Sequence, residues 1–404
     1  MTADERPDSV DDEPGGLRAA EGRTAVNARL VHVITPGDHY SPRTGSAVPT
    51  VVHGLSGATP AGAPRPAVVV ARGTYTPRYD SAEVLEYEQE AERRRDRYTD
   101  AARARLGLPR TGAQHAWAAA LAAQHDWPPG HVLLHNAPQA VPLVDTTRHM
   151  PVLYAHNQLL RTYSQREAGR TLENAGRIVC VSAYLAAATA DRLPPSLRGR
   201  VRVVGNGVDA VAFAAAPRPP RGSQLRVAYL GRVVPDKGVH VLLEALRLLD
   251  RRDVTVTVVG RPGFAGDAPT TDYEATLRRQ ARDVPGGVSF ASFVPRPDLP
   301  PLLARQDVVV VPSVWPEPFA LAALEGMAAG AAVVASDIGG IPEAVGAAGI
   351  LVPPGDARAL ADALRTLADD PGALAGAQQR AREHARGRTW ATAWSALDRE
   401  LNDR

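Results

Sequence analysis

Short, mainly apolar runs recur along this chain with helix-length stretches between them, and that rhythm constrains the fold more than any other feature. Leu30 to Ile34, Ala67 to Val70, His131 to Leu134, Val152 to Tyr154, Ile178 to Val181 and Val201 to Val204 form one series. Arg226 to Leu230, Val254 to Val259, Val288 to Ala291, Val308 to Val311 and Ala332 to Ala335 form a second. A strand that alternates apolar and polar residues has one wet face. An unbroken apolar strand is covered on both faces, as in a parallel sheet sandwiched by its crossover helices. The stretch AVAFAAAPRPPRGSQ, residues 210–224, is rich in Pro, Gly and Ala, separates the two series and reads as a linker. Each series therefore predicts a doubly wound α/β unit.

A chain of 404 residues is long enough for two hydrophobic cores. We expect a disordered polar tail over 1–24, a first Rossmann-like domain over 25–209, the linker over 210–224, a second Rossmann-like domain over 225–386 and a final helix over 387–404. Trp390, Trp394, Leu397 and Leu401 fall at spacings of four, three and four, which lays one apolar stripe along that helix. The stripe needs a surface to cover, and the first domain is the expected one.

Charge narrows the partners. The 46 basic residues nearly balance the 44 acidic ones, so nucleic acid is not expected and any bound anion must be held locally. The opening MTADERPDSVDDEPGG lacks the basic-then-apolar order of a secretory signal, and no run of about 18 apolar residues follows, which predicts a cytoplasmic protein. Cys180, the single cysteine, lies inside an apolar run and reads as a buried structural thiol. No HExxH motif, Cys/His cluster or Asp-x-Asp pair offers ligands for a metal, so neither a metal nor a cofactor is expected. GRPGFAG at 260–266 lacks the spacing of a dinucleotide loop, and HGLSG at 53–57 lacks the order of a nucleophile elbow. EVLEYEQEAERRRDR, residues 83–97, reads as a charged helix with Glu90 and Arg94 as an i, i+4 pair. Its Arg93, Arg94, Arg95 and Arg97 read first as a solvated face and second as a contact for an anionic acceptor or for lipid head groups in peripheral membrane contact.

Chemistry concentrates in two blocks. In YLGRVVPDKGVHVLLEAL, residues 229–246, a strand ends in a Gly turn that carries Arg232 and Lys237 to the start of a helix. Two cations beside free backbone N–H groups suit a diphosphate, although the same pair reads equally as surface charge. In PSVWPEPFALAALEGMAAGAAVVAS, residues 312–336, Glu317 lies in the turn after a strand and Glu325 eight residues on, in the next helix. That spacing is a little over two helical turns, so both carboxylates can address one side of a cleft; either can also be an ordinary helix-surface residue.

GR(x)4KG, then Glu-x7-Glu, then SDIGGIPEAV at 336–345 and GILVPPGD at 349–356 together closely resemble the donor-binding domain of the family-four retaining glycosyltransferases. The resemblance covers nearly all of 225–368 and extends more weakly to the first domain through VSAYLAAATA at 181–190 and VVGNGVD at 203–209. HNAPQAVPL and LYAHNQ resemble members associated with spore-coat and polysaccharide assembly, hence with the cell envelope. The family implies the GT-B fold, two Rossmann-like domains facing a central cleft with the C-terminal helix crossing back to the first. It implies a hexosyltransferase that moves a hexose-type sugar, with retained configuration and without a metal, from a nucleotide diphosphate donor to an acceptor hydroxyl.

By this resemblance Arg232 and Lys237 would neutralise the donor diphosphate, Glu325 would take the ribose hydroxyls, and Glu317 would take the hydroxyls of the transferred sugar near the backbone amides of Phe319, Ala320 and Leu321. Arg296 matches a position near the base, and His156 matches a histidine that lies against the donor sugar; without the resemblance the first reads as a surface residue and the second as a core histidine. A uridine-linked donor is expected, with the acceptor, a sugar, glycan or small metabolite, held mainly by residues 27–205. Two positions depart from the family pattern. The first-strand loop offers Gly45 followed by Ser46 in place of a Gly-Gly pair, and Ala320 stands where Gly is usual, adding a methyl group to the sugar pocket. A sugar-nucleotide epimerase of the same fold and a non-catalytic nucleotide-sugar binder remain the alternatives.

Overall fold

The computed structural model describes residues 28–89, 96–220, 222–263 and 270–403. The expected tail at 1–24, the Glu90–Arg94 pair and Arg93 to Arg95 lie outside the described residues, as does the side chain of Arg97.

The first sheet contains β1 (Arg29–Val33), β2 (Ala67–Ala71), β3 (Glu83–Tyr87), β4 (Gly130–His135), β5 (His149–Ala155), β6 (Arg177–Cys180) and β7 (Val201–Val203). Their order is β3-β2-β1-β4-β5-β6-β7, and every pair is parallel. The second sheet contains β8 (Leu225–Leu230), β9 (Val254–Val259), β10 (Val288–Ala291), β11 (Val308–Val311), β12 (Ala332–Ser336) and β13 (Ile350–Val352), ordered β10-β9-β8-β11-β12-β13 and again all parallel. In each sheet the order reverses beside the first strand, β1 in one and β8 in the other, and the crevice at such a switch point is where ligands bind in doubly wound folds.

Both faces of the second sheet are covered. Val308 and Val310 point into a core with Leu242, Leu246 and Leu364, while Val309 and Val311 point into the core shared with Leu324 and Met327. This is why four consecutive valines are tolerated in β11, since successive side chains enter opposite and equally dry layers.

One sequence expectation is corrected. The segment 83–97 was expected to be helical throughout, yet Glu83–Tyr87 is an edge strand. Its carboxylates meet arginines from neighbouring strands and loops: Glu83 pairs with Arg29, and Glu86 pairs with Arg78 at 2.7 Å. Charges on an outermost strand also discourage pairing with another chain.

The chain passes between the two sheets twice. Residues 210–215 form a short helix beyond the first crossing. At the second, Val208 N–H donates to Arg388 O at 2.8 Å, so the two crossings lie side by side. A Cβ on Gly207 would fall 2.5 Å from the Thr389 backbone, which is how the segments come so close. The helix Trp390–Asn402 then lies on the first domain. Trp390 covers Gly54 of the helix Ala47–Gly57, where a Cβ would sit 2.2 Å from the indole, and Leu397 and Leu401 are buried. Arg177 Nε donates to Glu400 O at 2.8 Å, and Arg202 pairs with the Glu400 carboxylate at 2.9 Å.

Candidate active site

The loops that follow β1, β4, β5, β8 and β11 leave the C-terminal ends of their strands and enclose a cleft of about 570 Å³ between the two sheets. A smaller cavity of about 150 Å³ opens beside it; Gly45, Ser46, Arg232 and Leu321 line both.

Glycines set the geometry of the loop after β8. Gly238 has φ +70, and a Cβ there would fall 1.8 Å from the Pro312 carbonyl oxygen. Only glycine suits both conditions, and the close approach seats the turn Pro235–Lys237 on the loop after β11. Val314 N–H donating to Asp236 O at 3.0 Å fixes the register. As a result Lys237 Nζ lies 2.6 Å from Glu317 Oε2. The Ser313 hydroxyl donates to the other oxygen of Glu317. From the opposite side Gly340 N–H donates to Glu317 O at 2.6 Å, with Gly339 at φ +64 allowing the approach.

Glu325 is carried inward by the helix Leu321–Ala328, which packs on β11 through Gly326, where a Cβ would meet the Val309 side chain at 2.7 Å. Glu325 is 2% exposed, and Arg296 Nη2 donates to its Oε1 at 2.5 Å. Burial alone would lower the pKa of Arg296, but the Glu325 carboxylate more than offsets that and the net direction is up. Arg296 N–H also donates across the cleft to Pro42 O at 3.0 Å. Val259, Phe293 and Leu299 give the smaller cavity an apolar wall beside this ion pair.

Phe319, Ala320 and Leu321 line the larger cleft with Lys237 and Glu317. Ala320 has φ −153, outside the left-handed region that calls for glycine, so the backbone there does not demand the family's glycine. Gly45 and Ser46 face the same cleft at the start of the helix Ala47–Gly57. His156 reaches the cleft from the end of β5; its backbone N–H donates to Asn136 Oδ1 at 2.8 Å. Burial pushes its imidazole down to about 3, so the ring is neutral at ordinary pH.

Every residue assigned to the donor site from the sequence thus lines one of two adjoining cavities, and two pairs of them form ion pairs. Several lining or supporting residues were missed. Asn136 sits at φ +54, a conformation Asn tolerates better than most residues, but nothing in the sequence signals it. Asp38 lines the cleft beside Ser46 and Thr35, with its carboxyl raised by burial. Glu343 stood inside a quoted motif without an assigned partner. It accepts N–H bonds from Ala183 and Tyr184 at 2.6 and 2.7 Å, capping a helix of the opposite domain. Among the described residues no group of three or more His, Cys, Asp or Glu side chains is arranged to hold a metal ion.

Two facing, doubly wound parallel sheets with a cleft at their switch points define the GT-B class of glycosyltransferases. The chain belongs to glycosyltransferase family 4. The model for glycosyl transferases group 1 matches residues 224–370, and that for Glycosyltransferase Family 4 matches 48–211. The chain is 34% identical over 289 residues to a glycogen synthase of Mycobacterium tuberculosis, covering 69% of this chain and 67% of that one. It is 35% identical over 289 residues to a D-inositol 3-phosphate glycosyltransferase of Kribbella flavida, covering 66% and 67%. Among solved structures, Anabaena HepE in complex with UDP and glucose superposes with a TM-score of 0.71 at 20% identity, over 93% of this chain and all of that one. WaaG, a glycosyltransferase of lipopolysaccharide biosynthesis, gives 0.65 at 16% identity over 93% of this chain.

Proposed function

We propose that this glycosyltransferase is a retaining, metal-independent hexosyltransferase that uses a nucleotide diphosphate sugar, with uridine as the base. The observation that carries the reading is the pairing of Lys237 with Glu317 at 2.6 Å, beside Arg232, on the floor of the interdomain cleft. A cation poised there can accept a diphosphate, while the carboxylate it releases turns to sugar hydroxyls. In this reading Arg232 and Lys237 hold the diphosphate, and Glu317 and the amides of Phe319, Ala320 and Leu321 hold the transferred sugar. Glu325 takes the ribose through the oxygen that Arg296 leaves open, and the base lies against Phe293 and Leu299. The acceptor, a sugar, glycan or small metabolite, binds mainly to the first domain.

In the transfer step the bond from the anomeric carbon to the phosphate oxygen breaks and a bond to the acceptor oxygen forms on the same face. The acceptor proton passes to the departing diphosphate. Charge grows on that diphosphate as its bond breaks, and preorganised cations in a closed cleft are most effective at that moment. The 30% identity over 224 residues to a lipopolysaccharide 1,2-N-acetylglucosaminetransferase of Salmonella typhimurium supports an envelope-glycan setting. No helix among the described residues is long and apolar enough to cross a membrane.

A melting-temperature panel of nucleotide sugars tests the reading, because a ligand that binds only the folded state stabilises it by about 2.7 kcal/mol at a hundred times its Kd. A uridine diphosphate sugar should raise the melting temperature with excess chelator present, and the donor incubated alone should keep its sugar unisomerised by NMR. Stabilisation that requires a divalent ion, or isomerisation without acceptor, would overturn it.

A further inference from the structure

The imidazole of His156 is the end of a buried row. β1, β4 and β5 are neighbours in the first sheet, and His32, His135 and His156 stand at their cleft-side ends. His32 Nδ1 and His135 Nε2 lie 2.9 Å apart, and His135 Nδ1 and His156 Nε2 lie 2.8 Å apart. Consecutive rings are stacked at 5.2 and 5.1 Å, and Tyr154 stacks on His156 at 4.9 Å with planes 8° apart. His32 and His135 are fully buried, and His156 is 8% exposed where it lines the cleft.

Each ring-to-ring contact holds one proton, so three neutral imidazoles can bond only head to tail and their tautomers are set together. Two directions satisfy both bonds. In one, His32 Nδ1–H donates to His135, His135 Nδ1–H donates to His156, and His156 keeps its own proton on Nδ1, the nitrogen left for the cleft. In the other every proton moves to Nε2, and the buried Nε2 of His32, which has no partner among the described residues, becomes an N–H with nothing there to donate to. Orphaned buried N–H groups are rarer than under-satisfied acceptors, which selects the first direction.

We propose that His135 and His32 are positioning residues that lock the ring plane and tautomer of His156, so that it offers a fixed Nδ1–H donor to the transferred sugar. This inference rests on the function proposed above. It gives that sugar one neutral donor, His156, and one anionic acceptor, Glu317, from opposite domains, so a hydroxyl is recognised for both its oxygen and its hydrogen.

The test joins nitrogen NMR of the unaltered protein to a mutant cycle. In 15N-histidine-labelled protein, His156 should carry its proton on Nδ1 alone. His135→Phe should make His156 a mixture of tautomers and lower kcat about ten-fold, the size of one lost neutral hydrogen bond, with the Kd for UDP unchanged. His156→Phe should lose at least as much, and the double variant no more than His156→Phe, because the two act as one unit. His32→Leu should shift kcat in the same direction and His32→Asn restore it, since the Asn amide can donate from the δ position. Additive losses for His135→Phe and His156→Phe, or a proton on His156 Nε2 in the unaltered protein, would overturn the proposal. If no nucleotide sugar is bound or turned over, the functional reading fails, and the nitrogen spectrum still decides the relay by itself.

Discussion

Lys237 and Glu317 neutralise each other across 2.6 Å, so any anion that enters the cleft competes with a carboxylate for the ammonium. Lys237→Ala removes the cation and also strands Glu317, whose side chain is only 12% exposed. We expect donor affinity to fall roughly 10-fold to 100-fold, the equivalent of about 1.5–3 kcal/mol for a charge-assisted bond, together with a lowered melting temperature. Lys237→Ala with Glu317→Gln should regain the stability and not the transfer. Steady-state kinetics beside melting curves check this, and recovery of both by the double variant would remove the phosphate-holding role.

The buried histidines give a second expectation. Burial lowers His32 and His156 to about 3 from an unfolded value of 6.5. Below pH 6.5 the unfolded chain takes up protons that the folded one refuses, so stability falls as pH drops from 6.5 towards about 3, by up to about 1.4 kcal/mol per pH unit for each ring. His32→Leu should flatten that slope by one proton between pH 6 and 4, read from denaturant midpoints; an unchanged slope would mean that His32 takes up its proton in the folded state. Arg232, Lys237, Glu317 and Glu325 were legible as neighbours of one cleft because two blocks, in an order that resembles a known family, single them out, and the structure gathers them at two adjoining cavities. The histidine row was not, because His32 and His135 are 103 residues apart and meet only through strand order.

Elements were legible where packing decided them. The apolar runs became parallel strands, while Glu83–Tyr87 was hidden by its charges and Ile350–Val352, inside the quoted GILVPPGD, was not read as a strand. An edge strand needs only partial burial, so its pattern resembles an exposed helix. Glycine positions are read the other way: Gly238 closes the GR(x)4KG motif, and only the structure shows why, since it lets one loop of the site rest on another. Gly238→Ala costs about 1–2 kcal/mol from its left-handed backbone alone, and the contact with Pro312 O adds to that. It should also weaken donor binding by moving Lys237 away from Glu317. A variant with wild-type melting temperature and donor affinity would show that the loop has slack the geometry denies.

Across the whole molecule, specific ties span the cleft, Arg296 N–H to Pro42 O already among them. Glu343 caps the helix Ala183–Ala190 from the opposite domain, the Ser182 hydroxyl donates to Pro318 O at 2.5 Å, and the Arg161 guanidinium lies 5.0 Å from the Trp315 ring centre. Glu343→Gln keeps the shape and removes the charge that the helix N-terminus favours. Domain separation measured by small-angle scattering should increase, and kcat should fall with the Kd for free nucleotide nearly unchanged. An unaltered scattering profile with unaltered kcat would assign closure to other contacts. The returning helix has a further consequence, in time rather than in space. Trp390 and Leu397 belong to the core of the first domain, so that domain cannot finish folding when its own strands have left the ribosome. Residues 210–389 must be made first, which at roughly 5–20 residues per second takes on the order of 10–40 s. Through that interval the face of the helix Ala47–Gly57 around Gly54 waits uncovered, and the newborn chain depends on whatever shields it until its last helix arrives.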